Sequence, residues 1–429
     1  MHSFVTNRSF PPAMAEVRGF RGVRYNPEVI ANFDDVVTPP FDVISESDRA
    51  TLAAKSPHNY VHFILPEAKD GATKYEVGAQ TLQAWLQDEV VVRDDEPSFY
   101  LLEQRFAGLD GKQRVRHGFF GVIRLPEDGD ESVLGHERTF EAKFQDRLKL
   151  TTAAQANPGA VFLLYDDPSN ELSDFLGQMK NREADVRAHT IDGVDVRVWR
   201  VADDPAVHTF FQDRTLYIAD GHHRFRTACA YRDQMRAKGA PDGGPHEYAF
   251  MGFVAGDDPG FMICPAHRLL TPPDGFEMKV FLDALSKWFD VEVVNDDVAG
   301  RVESSSGCAI GVVPTSGDSY LLTLKGVDRT EMLGTDHGEA WRALDVSVLH
   351  RAILEKTMGL DENAMLIYEH DAKKALKRVA NGEAGMVFLL KGVTPNQLFA
   401  CADSGEFMPQ KSTYIFPKLP SGTVFNRLD

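Results

Sequence analysis

Cysteine is scarce in this chain. Four residues (Cys229, Cys264, Cys308, Cys401) stand far apart with no C-x-x-C spacing, which excludes a disulfide framework and a zinc ribbon and suits a reducing cytoplasm. Positive charge is in deficit too: 46 Lys and Arg face 64 Asp and Glu, for a net charge of −18 and a pI near 5.2. Such a surface repels polyanions, so no nucleic-acid partner is expected. Long apolar runs are absent. The longest, Val161 to Tyr165 and Met386 to Leu390, fall far short of a membrane span, and the N-terminal residues lack the apolar centre of a secretory signal. The expectation is a soluble, cytoplasmic protein with no membrane partner. Neither a G-x-x-x-x-G-K-[ST] loop nor a protein-kinase Gly-rich loop occurs, and there is no internal repeat or low-complexity segment.

What remains is ordinary globular composition, 43% hydrophobic and 26% charged, over 429 residues, enough for two or three domains. Residues 1–22 read as an extension without periodicity, 23–271 as one region and 272–429 as a C-terminal α/β lobe, divided at the TPPDG turn of Thr271 to Gly275. Ser45 with Asp48 reads as a capping box opening a helix to Lys55, and a second helix spans Lys74 to Gln87. Two alternating stretches around Leu109 to Gly111 read as a hairpin, a helix covers Asp146 to Asn157, and AVFLLYDD reads as a buried strand. Further on, a helix is read at Asp345 to Met358 and a strand, helix, strand run from Met365 to Lys391. The tail carries Tyr414, Ile415 and Phe416 and should pack. Mixed helices and strands without strict βαβ alternation indicate an α+β fold.

The most informative stretch is Ala219-Asp220-Gly221-His222-His223-Arg224, where an apolar strand feeds a helix through one glycine. Unpaired backbone N–H groups and the positive end of the helix dipole then meet at one spot, which suits a phosphate. His222, His223 and Arg224 would add side-chain donors, and Asp220 could hold Mg²⁺ or accept a proton. The plainer alternative makes Asp220 an N-cap and the histidines solvated. Adjacent histidines point about 100° apart on a helix, so anion binding ranks above a shared zinc. A second cluster, Gly135-His136-Glu137-Arg138-Thr139 with Lys143, Asp146, Arg147 and Lys149, could supply a carboxylate base and cationic clamps, or be a solvated connection. A third, Thr38-Pro39-Pro40-Phe41-Asp42, presents a carboxylate beside an aromatic ring, or caps a turn. His267-Arg268 and the MPQKST segment, with Lys411, could contribute further cations.

PPFDVIS, HERT followed by DRLKL, ADGHHR, PAHRLL, LDVSVLH and MPQKSTYIFPKL occur in one order along nearly the whole chain. In these the sequence resembles a bacterial family catalogued as domain of unknown function 1015, which looks distantly related to the ParB and sulfiredoxin-like superfamily that includes free serine kinases. The resemblance implies a ParB/sulfiredoxin-like mixed-sheet core with insertions. It also implies that Asp220, Gly221, His222, His223 and Arg224 cradle nucleotide phosphates, as the D-G-H-x-R turn does in those relatives. Their hydroxyl-activating carboxylate corresponds here to Asp42 or Glu137. The family's P-K-E before DRLKL is Lys143-Phe144-Gln145 in this chain, which removes one carboxylate.

The function so implied is a small-molecule kinase-like phosphotransferase. ATP or ADP would be the donor with Mg²⁺ at Asp220, and the acceptor a small hydroxyl-bearing metabolite such as free serine. Glu137 or Asp42 would be the base, Asp220 and His223 would assist, and Arg138 and Lys411 would help bind the nucleotide. Two alternatives use the same residues: a nucleotide-gated switch and a metal-dependent phosphatase.

Overall fold

The computed structural model describes residues 15–137, 139–360 and 365–429. It is an α+β structure whose chain divides into two compact units. The first holds the described residues through Gly135, then Thr139–Phe261 and Pro417–Asp429. The second holds His136, Glu137 and Met262–Phe416.

Nine strands form the main sheet of the first unit: β1 (Val17–Arg18), β2 (Ser98–Ala107), β3 (Gln113–Arg124), β4 (Val133–Leu134), β5 (Val161–Tyr165), β6 (Val186–His189), β7 (Asp195–Ala202), β8 (Leu216–Asp220) and β9 (Tyr248–Ala255). The spatial order is β4-β8-β5-β9-β3-β2-β7-β6, with β1 beside β3. β4 with β8 and β5 with β9 run parallel, and the other pairs are antiparallel. The sheet is therefore mixed. The expected hairpin is β2–β3, and the expected buried strand is β5, every residue of which is buried. β1 draws part of the supposed N-terminal extension into the sheet, Val17 facing Ile123; residues 1–14 lie outside the described ones.

One face of this sheet is aromatic. Phe119 stacks on Phe253 with centroids 4.6 Å apart, and Phe211 and Tyr165 close around them. Helix α1 (Glu46–Lys55) has the capping box of Ser45 and Asp48, and α2 (Lys74–Gln87) has one built from Thr73 and Glu76. α3 (Glu141–Ala154) begins five residues before its expected start at Asp146, and α4 (His222–Ala237) follows β8.

The second unit contains a six-stranded sheet of β10 (His267–Leu270), β11 (Phe289–Val293), β12 (Ala309–Pro314), β13 (Tyr320–Leu324), β14 (Ile367–Glu369) and β15 (Met386–Leu389). Its order is β11-β13-β12-β15-β10-β14, antiparallel throughout. The TPPDG turn lies inside this unit, after β10. The lobe read as 272–429 is not one piece: Pro417–Asp429 belongs to the first unit. Among the described residues, no helix is long and apolar enough to cross a membrane.

Candidate functional site

β8 delivers the ADGHHR turn. Its register with β5 shifts between Ile218 and Asp220, a bulge that re-aims the strand end just before it leaves the sheet. Gly221 then takes φ +94°, a left-handed conformation that glycine adopts without penalty, and α4 starts at His222. Among the described residues no side chain caps this helix, and its first turn carries no acid, so the positive end of a 16-residue helix is left to the groups around it.

Asp220 is not the N-cap. One carboxylate oxygen accepts from the Arg224 guanidinium and the other from Lys418 Nζ at 2.5 Å. Burial alone would raise this carboxyl, but the charges of Lys418 and Arg224 outweigh it and hold the group well below the usual carboxylate range. Asp220 is thus ionised at any physiological pH. Arg224 departs from the expectation of an exposed phosphate gripper: its side chain is only 10% exposed, and it also donates to the Ala160 carbonyl. It lies 4.0 Å from Asp42, which sits on a short 3-10 turn (Phe41–Val43) after the Pro39-Pro40 pair. The rigid prolines thus bring a second carboxylate to the turn. Asp42 makes no side-chain cap of that helix.

The histidines divide. His222 is buried, its ring 3.1 Å from where a Cβ on Gly135 would stand. His223 Nε2 accepts the Phe140 N–H at 2.8 Å, and its ring stacks on Phe140, so the neutral tautomer carries its proton on Nδ1. His223 therefore cannot offer a phosphate the Nε2 proton.

Beside the turn a pocket is lined by Phe41, Arg147, Pro158, Gly159, Arg224 and Ser421. Arg147 donates to the Ile64 carbonyl and to Asp146, and its guanidinium lies over the Phe41 ring at 4.1 Å. Arg147 was visible in the sequence as one charge among many; Lys418 was missed, although it stands in the quoted MPQKSTYIFPKL motif. Among the described residues, no group of three or more His, Cys, Asp or Glu could hold a metal ion. A Mg²⁺ ion here would need oxygens beyond those of Asp220 and Asp42, such as a phosphate's, since both Asp220 oxygens already accept from Arg224 and Lys418.

Lys143 and Lys149 lie on α3 in the first unit, whereas His136, Glu137, Arg268 and Lys411 belong to the second. His136 is fully buried, with Nε2 3.0 Å from Thr413 Oγ1, and Thr413 donates to Glu137 at 3.3 Å. Arg138 lies outside the described residues. Lys411 is exposed at a left-handed turn position, φ +57°. Arg268 is buried and bonded to the carbonyls of Ala266 and Gln410 and to His350 Nε2, a structural set rather than an open cation.

The chain belongs to the family described as protein of unknown function DUF1015, whose model matches residues 17–347. No curated protein matches it. Several solved structures are similar, three of them as follows. A variant of a free serine kinase in complex with AMP shares 13% identity, with 69% of this chain and 87% of that one covered and a TM-score of 0.34. A conserved hypothetical protein from Pyrococcus furiosus shares 13%, covering 70% and 93%, with a TM-score of 0.34. A C-terminally truncated SbnI from Staphylococcus aureus shares 8%, covering 70% and 84%, with a TM-score of 0.35.

Proposed function

We propose that this protein is a cytoplasmic, nucleotide-dependent phosphotransferase acting on a small hydroxyl-bearing metabolite, free serine being the first to test, and that the first unit is a ParB/sulfiredoxin-like core. The carrying observation is the turn at Gly221. A strand bulge, a left-handed glycine and an uncapped helix N-terminus converge there with Arg224 and Lys418. Helix N–H groups beside the paired cations suit a polyanionic phosphate chain, Arg224 being the one anchored at its other end by the Ala160 carbonyl and Lys418 the one on a flexible stem, and four free cysteines suit a reducing compartment.

In this reading the backbone of Gly221 to Arg224 binds the phosphates, Asp220 orients a metal-bound nucleotide, and the pocket lined by Phe41 and Arg147 orients the ligand. Mg²⁺, when bound, would supply neutralisation of charge on the transferring group. Asp42, 4.0 Å from Arg224, is the carboxylate at the turn and the favoured base for the acceptor hydroxyl. Glu137, the carboxylate that the sequence alone favours slightly, is thereby ranked second.

Calorimetry with ADP and ATP in Mg²⁺, followed by transfer from labelled ATP to a panel of alcohols headed by L-serine, tests the proposal. Binding and transfer are expected, with transfer by Asp42→Asn lowered about 10²- to 10⁴-fold while nucleotide binding persists. Tight binding with no transfer to any alcohol would favour the switch. No nucleotide binding at all would remove the reading.

A further inference from the structure

We infer that Lys418 is a phosphate-contacting residue of this site, held on Asp220 until a nucleotide arrives and then exchanging that carboxylate for the phosphates; the inference rests on the nucleotide-binding reading above.

Lys418 comes from the far end of the chain, 198 residues after Asp220, yet its Nζ meets Asp220 Oδ1 at 2.5 Å with the side chain only 9% exposed. A lysine is rarely so buried unless something fixes it. Here the fixture is visible. Arg116, 1% exposed, donates to the Pro417 carbonyl at 2.6 Å and to Gln104 Oε1, and Gln104 in turn donates to the Lys418 carbonyl at 2.9 Å. The Arg116 guanidinium lies over Phe162, the residue paired with Asp220 across β5 and β8. The backbone of the tail is thus locked to the strands that carry the turn, and the ammonium is aimed at the strand end.

Charge and geometry separate the two cations on Asp220. Arg224 already pairs with this carboxylate and is anchored at its other end by the Ala160 carbonyl, so its planar fork is committed. Neutralising Asp220 does not require a second cation. Lys418 is a compact charge on a flexible stem, able to move between neighbouring oxygen acceptors without moving the clamped backbone. Leaving Asp220 would also uncover an ionised carboxylate oxygen beside the incoming phosphates, where Mg²⁺ can use it.

The test is calorimetric titration of the full chain with ADP and Mg²⁺, beside melting temperatures. Lys418→Met should bind ADP roughly 10- to 100-fold more weakly, the range for one charge-assisted hydrogen bond, and Lys418→Arg should recover part of the loss. Because Lys418→Met leaves Asp220 with one partner fewer and could misfold, Asp220→Asn is compared with Asp220→Asn/Lys418→Met, in which neither half of the pair is charged. The double variant should bind at least tenfold more weakly than the single. Equal affinities within either folded pair would make Lys418 a structural ion pair and overturn the inference alone. A wild-type protein that binds no ADP would overturn both it and the nucleotide reading.

Discussion

Single side chains in this protein titrate far from their ordinary ranges where burial outweighs everything else. His267 accepts the Leu390 N–H at Nδ1, and its Nε2 has no partner among the described residues. Burial drives its pKa down to about 4, with His370 and Arg268 adding repulsion. His350, against Arg268, is pushed down to about 3 for the same first reason. The unfolded chain takes up protons at these positions near pH 6.5 whereas the folded one does not, so stability is full above that pH and is lost as pH falls toward 4. Each such histidine contributes a slope of about 1.4 kcal/mol per pH unit in that window. His267→Asn keeps an acceptor for Leu390 but cannot titrate; its urea-unfolding free energy should therefore fall less between pH 7 and pH 5 than the wild type's. Identical pH slopes would show that His267 does not titrate as its burial implies. The same scale separates what was legible in the candidate site from what was not. Asp220, Gly221 and Arg224 were readable because a strand, a glycine and a helix follow each other locally. That Arg224 is buried and that Lys418 completes the pair depended on a contact 198 residues away, which no local pattern encodes.

At the scale of elements, local chemistry was the better guide. α1 and α2 begin where the Ser45/Asp48 and Thr73/Glu76 boxes place their first turns, and the β2–β3 hairpin turns at the expected Leu109 to Gly111. Two short helices escape the sequence reading although each has a local start signal, Asp204 before Pro205 and the Thr394/Gln397 box before Pro395. Pro205–Phe211 is only seven residues long and two of them are core phenylalanines, and Pro395–Asp403 is only nine, too short for a helical period to stand out. α3 begins before its expected start because Phe144 is buried in a small cluster with Leu148 and Tyr231, a tertiary demand that the charged run at 141–147 conceals. The element on which the proposed function rests is the β8–α4 junction, and its weak point is Gly221. An alanine there would hold φ +94° against its own Cβ and place that atom 2.9 Å from the Arg224 side chain. Gly221→Ala should cost about 1–2 kcal/mol and lower the melting temperature by several degrees, while displacing Arg224 and weakening nucleotide binding. Unchanged melting and binding would mean that the turn is not set by the glycine.

Over the whole molecule, the chain leaves the first unit after Phe261 and returns to it at Pro417, and the returning segment is buried almost to its last residue. The sequence reading expected packing at Tyr414, Ile415 and Phe416, which belong to the second unit, but not that the thirteen residues after them count with strands laid down more than 150 residues earlier. The segment is tied in repeatedly: Ser421 and Thr38 exchange backbone hydrogen bonds, Val23 and Phe425 do the same, and Asn426 pairs with Asn157. Phe425 also packs against Tyr60 and Phe63, with centroids 5.6 and 5.8 Å away. Leu419 approaches Gly252 so closely that a Cβ there would stand 2.5 Å from its methyl group, so the tail covers β9 directly. Removing this segment would expose a sheet face carrying Arg116 and Gln104 without the carbonyls that satisfy them, and buried polar groups stripped of partners cost about 1–3 kcal/mol each or more for charged ones. Added to the loss of one large buried aromatic at about 3–5 kcal/mol, this exceeds much of the 5–15 kcal/mol that holds a typical domain folded. A chain ending at Phe416 should therefore lose the slow amide exchange of β3 and β9 and the cooperative unfolding of the first unit, as read by hydrogen-exchange mass spectrometry and calorimetry. If β3 and β9 kept their protection in the shortened chain, the tail would be an accessory cover, and its lysine would reach Asp220 without any part in holding the sheet together.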